Sequence, residues 1–391
     1  MTKLGTLDLG ELSDALRRRG LDGWLLYDFH GLNPLVARTL PVTGMITRRV
    51  FLWLPAVGPP RLVVHNIDRR AFGEFPGEVE VYTTWQQLQR RLAAIVRGRR
   101  IAMETSPENA VPYMDRVPAG VVELLTRLGA TLVPSDPLVT QFAARWSPGE
   151  RDDHRRAAET IADIARRTLT RVIAEVGEAT EAGVQRQVLE AMHAGGLETE
   201  EPPIVAFGAH AADPHYEPKE STSLTLEPDQ VVLLDLWGKR SPTTVWADQT
   251  WMAFSGAVAP DAVVAVWEAV RDARDSVVRH LQEEMSRRHV ITGAQLDRIA
   301  RSLIRERGYG DAFVHRTGHS IEVDLHGSGP HLDDFETHDV RELSPGVGFS
   351  VEPGVYLEGR FGVRSEINVI LDAKGPEVTP VQPQQDLILV R

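Results

Sequence analysis

The 391 residues contain no cysteine, which removes disulfides, thiolate nucleophiles and cysteine-held zinc or iron–sulfur centres from consideration. Any bound metal must be held by oxygen and nitrogen. Basic residues are in deficit as well: 43 lysines and arginines against 55 aspartates and glutamates leave a net charge of −12, the wrong sign for an electrostatic nucleic-acid footprint. No apolar run approaches the roughly 20 residues needed to cross a bilayer. The opening segment MTKLGTLDLGELSDALRRRG also lacks the apolar core of a secretory signal. The expectation is a cytoplasmic protein with neither nucleic acid nor membrane as partner. A Walker-type phosphate loop, a low-complexity tract and a fixed-period repeat are all missing too, so a nucleotide enzyme or a solenoid has no support.

What is present is an ordinary globular composition, 42% hydrophobic and 25% charged, on a chain longer than the roughly 250–300 residues at which single cores stop growing. Two domains are expected. Residues 1–145 alternate apolar β-type runs (GWLLYD, RRVFLWLP, RLVVHN, RRIAMET) with amphipathic helical stretches, the pattern of an α/β domain. Ser147-Pro148-Gly149-Glu150 then opens a long helix, with a serine cap, proline at the first helical position and glutamate at the third. Residues 146–391 are read as a second domain of α+β class. Its helices are expected over about 148–176, 180–194, 260–288 and 292–307, the last opened by a capping box at Thr292 and closed by Gly308.

Two hairpins in that half each carry a pair of acids. In VVLLDLWGKRSPTTVWADQTWMAF, residues 231–254, the turn is expected to centre near Ser241-Pro242, which places Asp235 and Asp248 nearly opposite each other on one sheet face. In GFSVEPGVYLEGRFGVRSEINVIL, residues 348–371, Glu352 and Glu366 lie symmetrically about Gly359. Like charges across strands are destabilising, and buried carboxylates cost several kcal/mol unless paired, protonated or coordinated. A cation between them is expected.

The stretch HRTGHSIEVDLHG, residues 315–327, holds three of the thirteen histidines. The i,i+4 spacing of His315 and His319 suggests a zinc-binding helix face, but Gly318 and the β-type run SIEVDL argue against a helix there. Four carboxylates and at least one imidazole make a hard, oxygen-rich site with charge enough for two divalent cations such as Mn²⁺, Co²⁺ or Zn²⁺. Two such ions can share a water and lower its pKa, which is hydrolytic chemistry.

With those residues in view, the C-terminal part resembles the pita-bread metallopeptidases, the group containing aminopeptidase P, Xaa-Pro dipeptidase (prolidase) and methionine aminopeptidase. The resemblance runs through LLDLWG…VWADQTW, FVHRTGHSIEVDLHG, SVEPGVY and GVRSEINVI in that order, and the N-terminal domain resembles that of creatinase and prolidase. It implies Asp235, Asp248, His319, Glu352 and Glu366 as ligands of two divalent metals, manganese foremost with cobalt or zinc as alternatives. Asp248 and Glu366 would bridge both ions, and Glu352 would also handle the proton of a metal-bridging hydroxide. By the same resemblance His326 helps stabilise the tetrahedral intermediate, His215 lies near the scissile carbonyl, His315 walls the proline pocket, and Arg364 supports the metal-bound carboxylates. His65 and His210 match no motif and are read as structural or surface histidines.

The reaction so implied is hydrolysis of Xaa-Pro bonds in di- or oligopeptides, by a dipeptidase or alternatively an aminopeptidase P acting on longer chains. Proline lacks the amide N–H that most peptidases use and fixes φ near −65°. A dipeptidase must also recognise the free carboxylate after proline. The segment HGLNPLVARTLPVTGMITRRV offers Arg38, Arg48 and Arg49 as clamps, with Arg38 favoured, and the family's dimers suggest a homodimer. Metal-free creatinase-like C–N hydrolysis and an inactive peptide-binding module are the rival readings; the complete ligand set argues against both, and the N-terminal domain against methionine aminopeptidase. The chain departs from the family pattern in the longer Asp235–Asp248 spacing and in Ser320, Gly327 and Ile367, which bears on metal choice and substrate range.

Overall fold

The computed structural model describes residues 3–5, 7–40 and 42–390. The chain divides into two compact units, Met1–Ala143 and Ala144–Arg391.

The first unit is built on a six-stranded mixed sheet in the spatial order Glu78–Tyr82, Arg61–His65, Val50–Pro55, Gly23–Asp28, Arg100–Met103, Thr131–Pro134. The three central-to-edge hairpin neighbours 23–28, 50–55 and 61–65 pair antiparallel, and the outer strands join in parallel. Strand periodicity sends alternate side chains to opposite faces. Trp24, Leu26, Leu52, Leu62 and Val64 belong to one core. Leu25, Tyr27, Phe51, Trp53 and Val63 belong to the other, under the helices Trp85–Val96 and Ala119–Arg127. Both faces are covered, which is why these runs are almost continuously apolar. This is the α/β class expected.

The second unit begins at the capping box read from sequence. Ser147 N donates to Glu150 Oε2 at 2.6 Å, Glu150 N returns a bond to Ser147 Oγ at 3.3 Å, and the helix Pro148–Val172 follows. Its buried stripe of Ala157, Ala158, Ile161, Ala165, Leu169 and Val172 has helical spacing and packs on Leu234, Leu236, Trp251 and Ala253 of the sheet beneath. That sheet runs Ile388–Leu389, Ala247–Phe254, Val231–Gly238, Ile204–Phe207. A second sheet runs Ser320–Ile321, Gly348–Val351, Ile367–Asp372, Gly375–Thr379. Helices Glu181–Ala194, Asp261–Ser286 and Gly293–Glu306 complete the α+β unit.

One cluster joins the two sheets: Val231, Leu233, Met252 and Phe254 from the first, and Phe349, Val351, Ile367, Val369 and Leu371 from the second. Continuing the same two-residue period along each strand places Asp235, Asp248 and Thr250 on this shared face. These polar side chains therefore sit where the apolar core ends. Among the described residues no helix is long and apolar enough to cross a membrane.

Candidate metal centre

The first hairpin pairs antiparallel, but its register is not the symmetric one expected. Asp235 lies opposite Thr250, and Asp248 lies opposite Trp237. The two aspartates are diagonal neighbours on one face. The reason is the turn: Thr244 N donates to Ser241 O at 3.1 Å, so the chain reverses about Pro242-Thr243, one residue later than read. Proline suits the second position of such a turn because its φ is preset. The shift brings Thr250 between carboxylates, with its hydroxyl 3.0 Å from Asp235 Oδ1 and 2.9 Å from Glu366 Oε2.

The second hairpin is symmetric about Gly359, whose φ of 70° the turn requires. Gly348–Val351 pairs with Ile367–Asp372 and Gly354–Leu357 with Phe361–Arg364, in two separate ladders. Glu352 and Glu366 occupy the break between those ladders. The interruption at Glu352-Pro353 frees both side chains from the sheet's regular pleat.

No helix forms through the histidine segment; its regular element is the short strand Ser320–Ile321. Gly318 passes so close to the next strand that a Cβ there would lie 2.0 Å from Ser350 O. That approach lets His319 N donate to Ser350 Oγ at 2.9 Å, and Ser350 Oγ in turn donates to Glu352 Oε1 at 3.0 Å. His319 Nδ1 donates to Ser320 O at 3.1 Å, since a carbonyl can only accept. This fixes the tautomer and leaves the Nε2 lone pair 3.5 Å from both Asp248 Oδ2 and Glu352 Oε1.

Asp248, His319 and Glu366 each offer a ligand atom within 4.8 Å of the others. Among the described residues, no hydrogen-bond partner reaches the buried Asp248 Oδ1 or Glu366 Oε1. The Thr250 hydroxyl has a single proton to give to two carboxylates, and its oxygen also accepts from Arg364 Nε at 2.8 Å. Burial first, with the neighbouring acids adding to it, pushes Glu366 far above the usual carboxylate range. Burial raises Asp248 to about 7 and, together with Asp248 and against Arg364, raises Asp235 to about 6. Glu352 is raised by burial, with His319 opposing. Crowded carboxyl groups with orphaned oxygens, held back from ionising by burial and by one another, around an imidazole nitrogen are a donor set that fits a divalent cation.

A cavity of about 700 Å³ opens onto this cluster, lined also by His215, His326, Trp237, Leu325, Arg364, Gln185, Glu201 and the stretches 202–204 and 214–218. His215 is exposed within it. The His326 ring sits 4.2 Å from that of His319, edge to face, and His319 followed by burial holds it down at about 2. Arg364 donates to Asp235 Oδ2, to Thr250 and, at 3.2 Å, to Tyr356 Oη.

His315, which the resemblance implied as a pocket wall, is not among the residues that line this cavity. Its Nδ1 donates to Arg316 O at 2.7 Å, and its Nε2 accepts from Tyr356 Oη at 2.8 Å. Burial lowers it to about 3. Tyr356 links it to Arg364, whose guanidinium donates to the same phenol oxygen. Arg38 belongs to the first unit, in the last turn of the helix Pro34–Thr39. Thr250 and Tyr356 escaped sequence reasoning. Thr250, two residues beyond Asp248 on the same face, could have been found from strand period; Tyr356 carried no such signal.

The description of metallopeptidase family M24 matches residues 153–373. Over 353 residues the chain is 29% identical to the probable dipeptidase PepE of Mycobacterium tuberculosis, covering 87% of this chain and 82% of that protein. It is 31% identical over 188 residues to the Xaa-Pro dipeptidase of Lactobacillus delbrueckii subsp. lactis, 46% of this chain and 45% of that one. Among solved structures, dipeptidase PepE from Mycobacterium ulcerans superposes with a TM-score of 0.77 at 24% identity over 98% of this chain and 96% of that one. Prolidase from Thermococcus sibiricus gives 0.69 at 22% identity over 99% and 100%. These superpositions establish the two-domain pita-bread fold.

Proposed function

The chain belongs to metallopeptidase family M24, and from that premise we propose that it is an Xaa-Pro dipeptidase holding two divalent cations, manganese foremost, between Asp235, Asp248, His319, Glu352 and Glu366. The observation that carries this reading is two buried oxygens with no partner among the described residues, Asp248 Oδ1 and Glu366 Oε1, in one cluster with an imidazole whose Nδ1 is already engaged. The relatives' names add the substrate class: one is called a probable dipeptidase and another an Xaa-Pro dipeptidase.

When bound, the cations would supply a water of lowered pKa and polarise the substrate carbonyl. The chain's own groups do the rest. Ser320 O holds His319 in the tautomer that presents Nε2. Glu352, with its carboxyl raised by burial and Ser350 Oγ fixing Oε1, takes the proton of the attacking water and returns it to the imino nitrogen of proline. His326 and His215, kept neutral in the first case by His319 and burial, present N–H groups to the developing oxyanion. Arg364 holds Asp235 ionised and oriented. Trp237, Leu325 and the prolines at 202, 203, 214 and 218 give the cavity an apolar wall for the substrate's proline.

One observation favours the aminopeptidase P alternative. Arg364 is the sole guanidinium among the cavity-lining residues, and Asp235, Thr250 and Tyr356 engage it. A clamp for the carboxylate of a dipeptide must then come from elsewhere, and Arg38 fills that role in the dipeptidase reading. A homodimer and a cytoplasmic location belong to the same proposal; light scattering of the purified protein tests the first. An Xaa-Pro dipeptide, an Xaa-Pro-Xaa tripeptide and an amidated Xaa-Pro, each assayed in Mn²⁺, Co²⁺ and Zn²⁺, test the function. Cleavage of the dipeptide alone is expected. Preference for the tripeptide selects the aminopeptidase, and no cleavage of any leaves a peptide-binding module.

A further inference from the structure

The loop 208–224 supplies Pro214, His215, Tyr216, Glu217 and Pro218 to the cavity wall, yet beyond the short turn Gly208–Ala212 it contains no helix or strand. Long irregular segments in compact domains need something to hold them. Here that is Glu181, the first residue of the helix Glu181–Ala194, whose side chain is completely buried. Its Oε1 accepts from Phe207 N at 2.7 Å, where the loop begins. Its Oε2 accepts from Leu224 N at 2.8 Å, where the loop ends, and from Tyr216 Oη at 2.7 Å in the middle. His210 Nδ1 donates to both oxygens at 3.0 Å, and the His210 ring lies 4.3 Å from that of Tyr216. Around it, Glu181 N donates to Leu224 O at 3.1 Å and Ala182 N to Ser223 Oγ at 2.9 Å.

A buried carboxylate is costly unless its lone pairs are filled, and this one has four donors plus the positive end of a helix dipole. Burial and the Glu181 charge push the Tyr216 phenol up, so it stays a donor. Glu181 touches neither the cavity nor the carboxylate cluster among the residues that line them. Its reach is confined to the loop.

We propose that Glu181 is the positioning residue of the substrate wall: one carboxylate closes both ends of the loop 208–224, grips Tyr216, and so fixes where His215, Pro214 and Pro218 face the cavity. The kinetic consequence rests on the peptidase reading above; the geometric claim does not. Glutamine at this position turns one acceptor into a donor opposite donors that are already there, whereas aspartate keeps the charge on a shorter arm.

The test is backbone amide exchange followed by mass spectrometry on the intact, metal-loaded protein, beside steady-state kinetics on an Xaa-Pro dipeptide. In Glu181→Gln, exchange across 208–224 is expected to rise at least about tenfold, while 231–254 and the metal content stay unchanged. The value of kcat/KM is expected to fall on the order of 10- to 100-fold, mostly in kcat, because His215 loses its alignment. Glu181→Asp recovers part of both, and Tyr216→Phe, which removes one O–H only, gives the same pattern more weakly. Should Glu181→Gln fail to fold, Tyr216→Phe and Glu181→Asp carry the test. Unchanged exchange across 208–224 overturns the proposal, as does a kcat/KM within twofold of wild type with a merely lowered Tm. If the wild-type protein cleaves no proline peptide, the peptidase reading fails, while the exchange comparison still decides the role of Glu181.

Discussion

In the first unit Glu104 is completely buried with both oxygens occupied: Trp24 Nε1 at 2.7 Å and Ser135 Oγ at 3.0 Å donate to Oε1, and Asn33 Nδ2 at 3.3 Å to Oε2. In the second unit Asp248 and Glu366 are also buried, yet each keeps one oxygen with no partner among the described residues, and two more carboxylates stand beside them. Burial raises the first group to about 7, and Asp248 to about 7 as well. A raised pKa therefore does not by itself distinguish a structural acid from a site. The partners distinguish them: a lone acid enclosed by donors is a fastener, and crowded acids with orphan oxygens form a receptacle for cations.

The sharpest way to break this contrast is to neutralise one acid in each unit. Glu366→Gln and Asp248→Asn are expected to lower turnover of an Xaa-Pro dipeptide on the order of 10³-fold or more, with metal content falling in elemental analysis. Glu104→Gln is expected to leave turnover per folded molecule within a few-fold. Equal losses from both units would erase the distinction.

The pH dependence of stability follows with a definite sign. Glu104 is raised from 4.5 to about 7, so between those values the folded state holds a proton that the unfolded state has released, and stability is lost as pH rises through that window. The loss amounts to about 3 kcal/mol at most. Asp235 and Asp248, raised to about 6 and 7, add a loss of the same sign. Metal-free protein is expected to unfold at lower urea at pH 8 than at pH 5. Glu104→Gln should narrow that gap by its own share only, and a cation should narrow the remainder.

Mn²⁺ at a hundredfold excess over Kd is expected to stabilise the wild-type protein by about 2.7 kcal/mol per site filled, read as a rise in Tm. Glu104→Gln should keep that rise and Glu366→Gln should lose it. The smallest effect is expected from Ser135→Ala, which removes one of the donors to Glu104: about 1 kcal/mol in urea unfolding with metal content unchanged.

How far the residues alone carried the reading depended on whether the determining interaction was local. Capping boxes at Ser147 and Thr292, and the symmetry of Glu352 and Glu366 about Gly359, depend on neighbours within a turn, and both appear as read. The Asp235–Asp248 register was off because the placement of the turn depended on Thr244 bonding to Ser241, a choice among several in KRSPTT. His315 and His210 were beyond sequence reasoning for a different reason. Their partners, Tyr356 and Glu181, lie far along the chain, and only the packed fold brings them together. His210, read as structural or surface, is a structural one: its Nδ1 donates to the buried Glu181.

The central claim is that the crowded carboxylates of the second unit do their chemistry only with cations between them. Its most direct test is cleavage of an Xaa-Pro dipeptide by protein stripped with a chelator, then dialysed and titrated with Mn²⁺. The account predicts no turnover in the stripped protein and restoration on titration, saturating near two ions per chain. Full activity in the metal-stripped protein would contradict it.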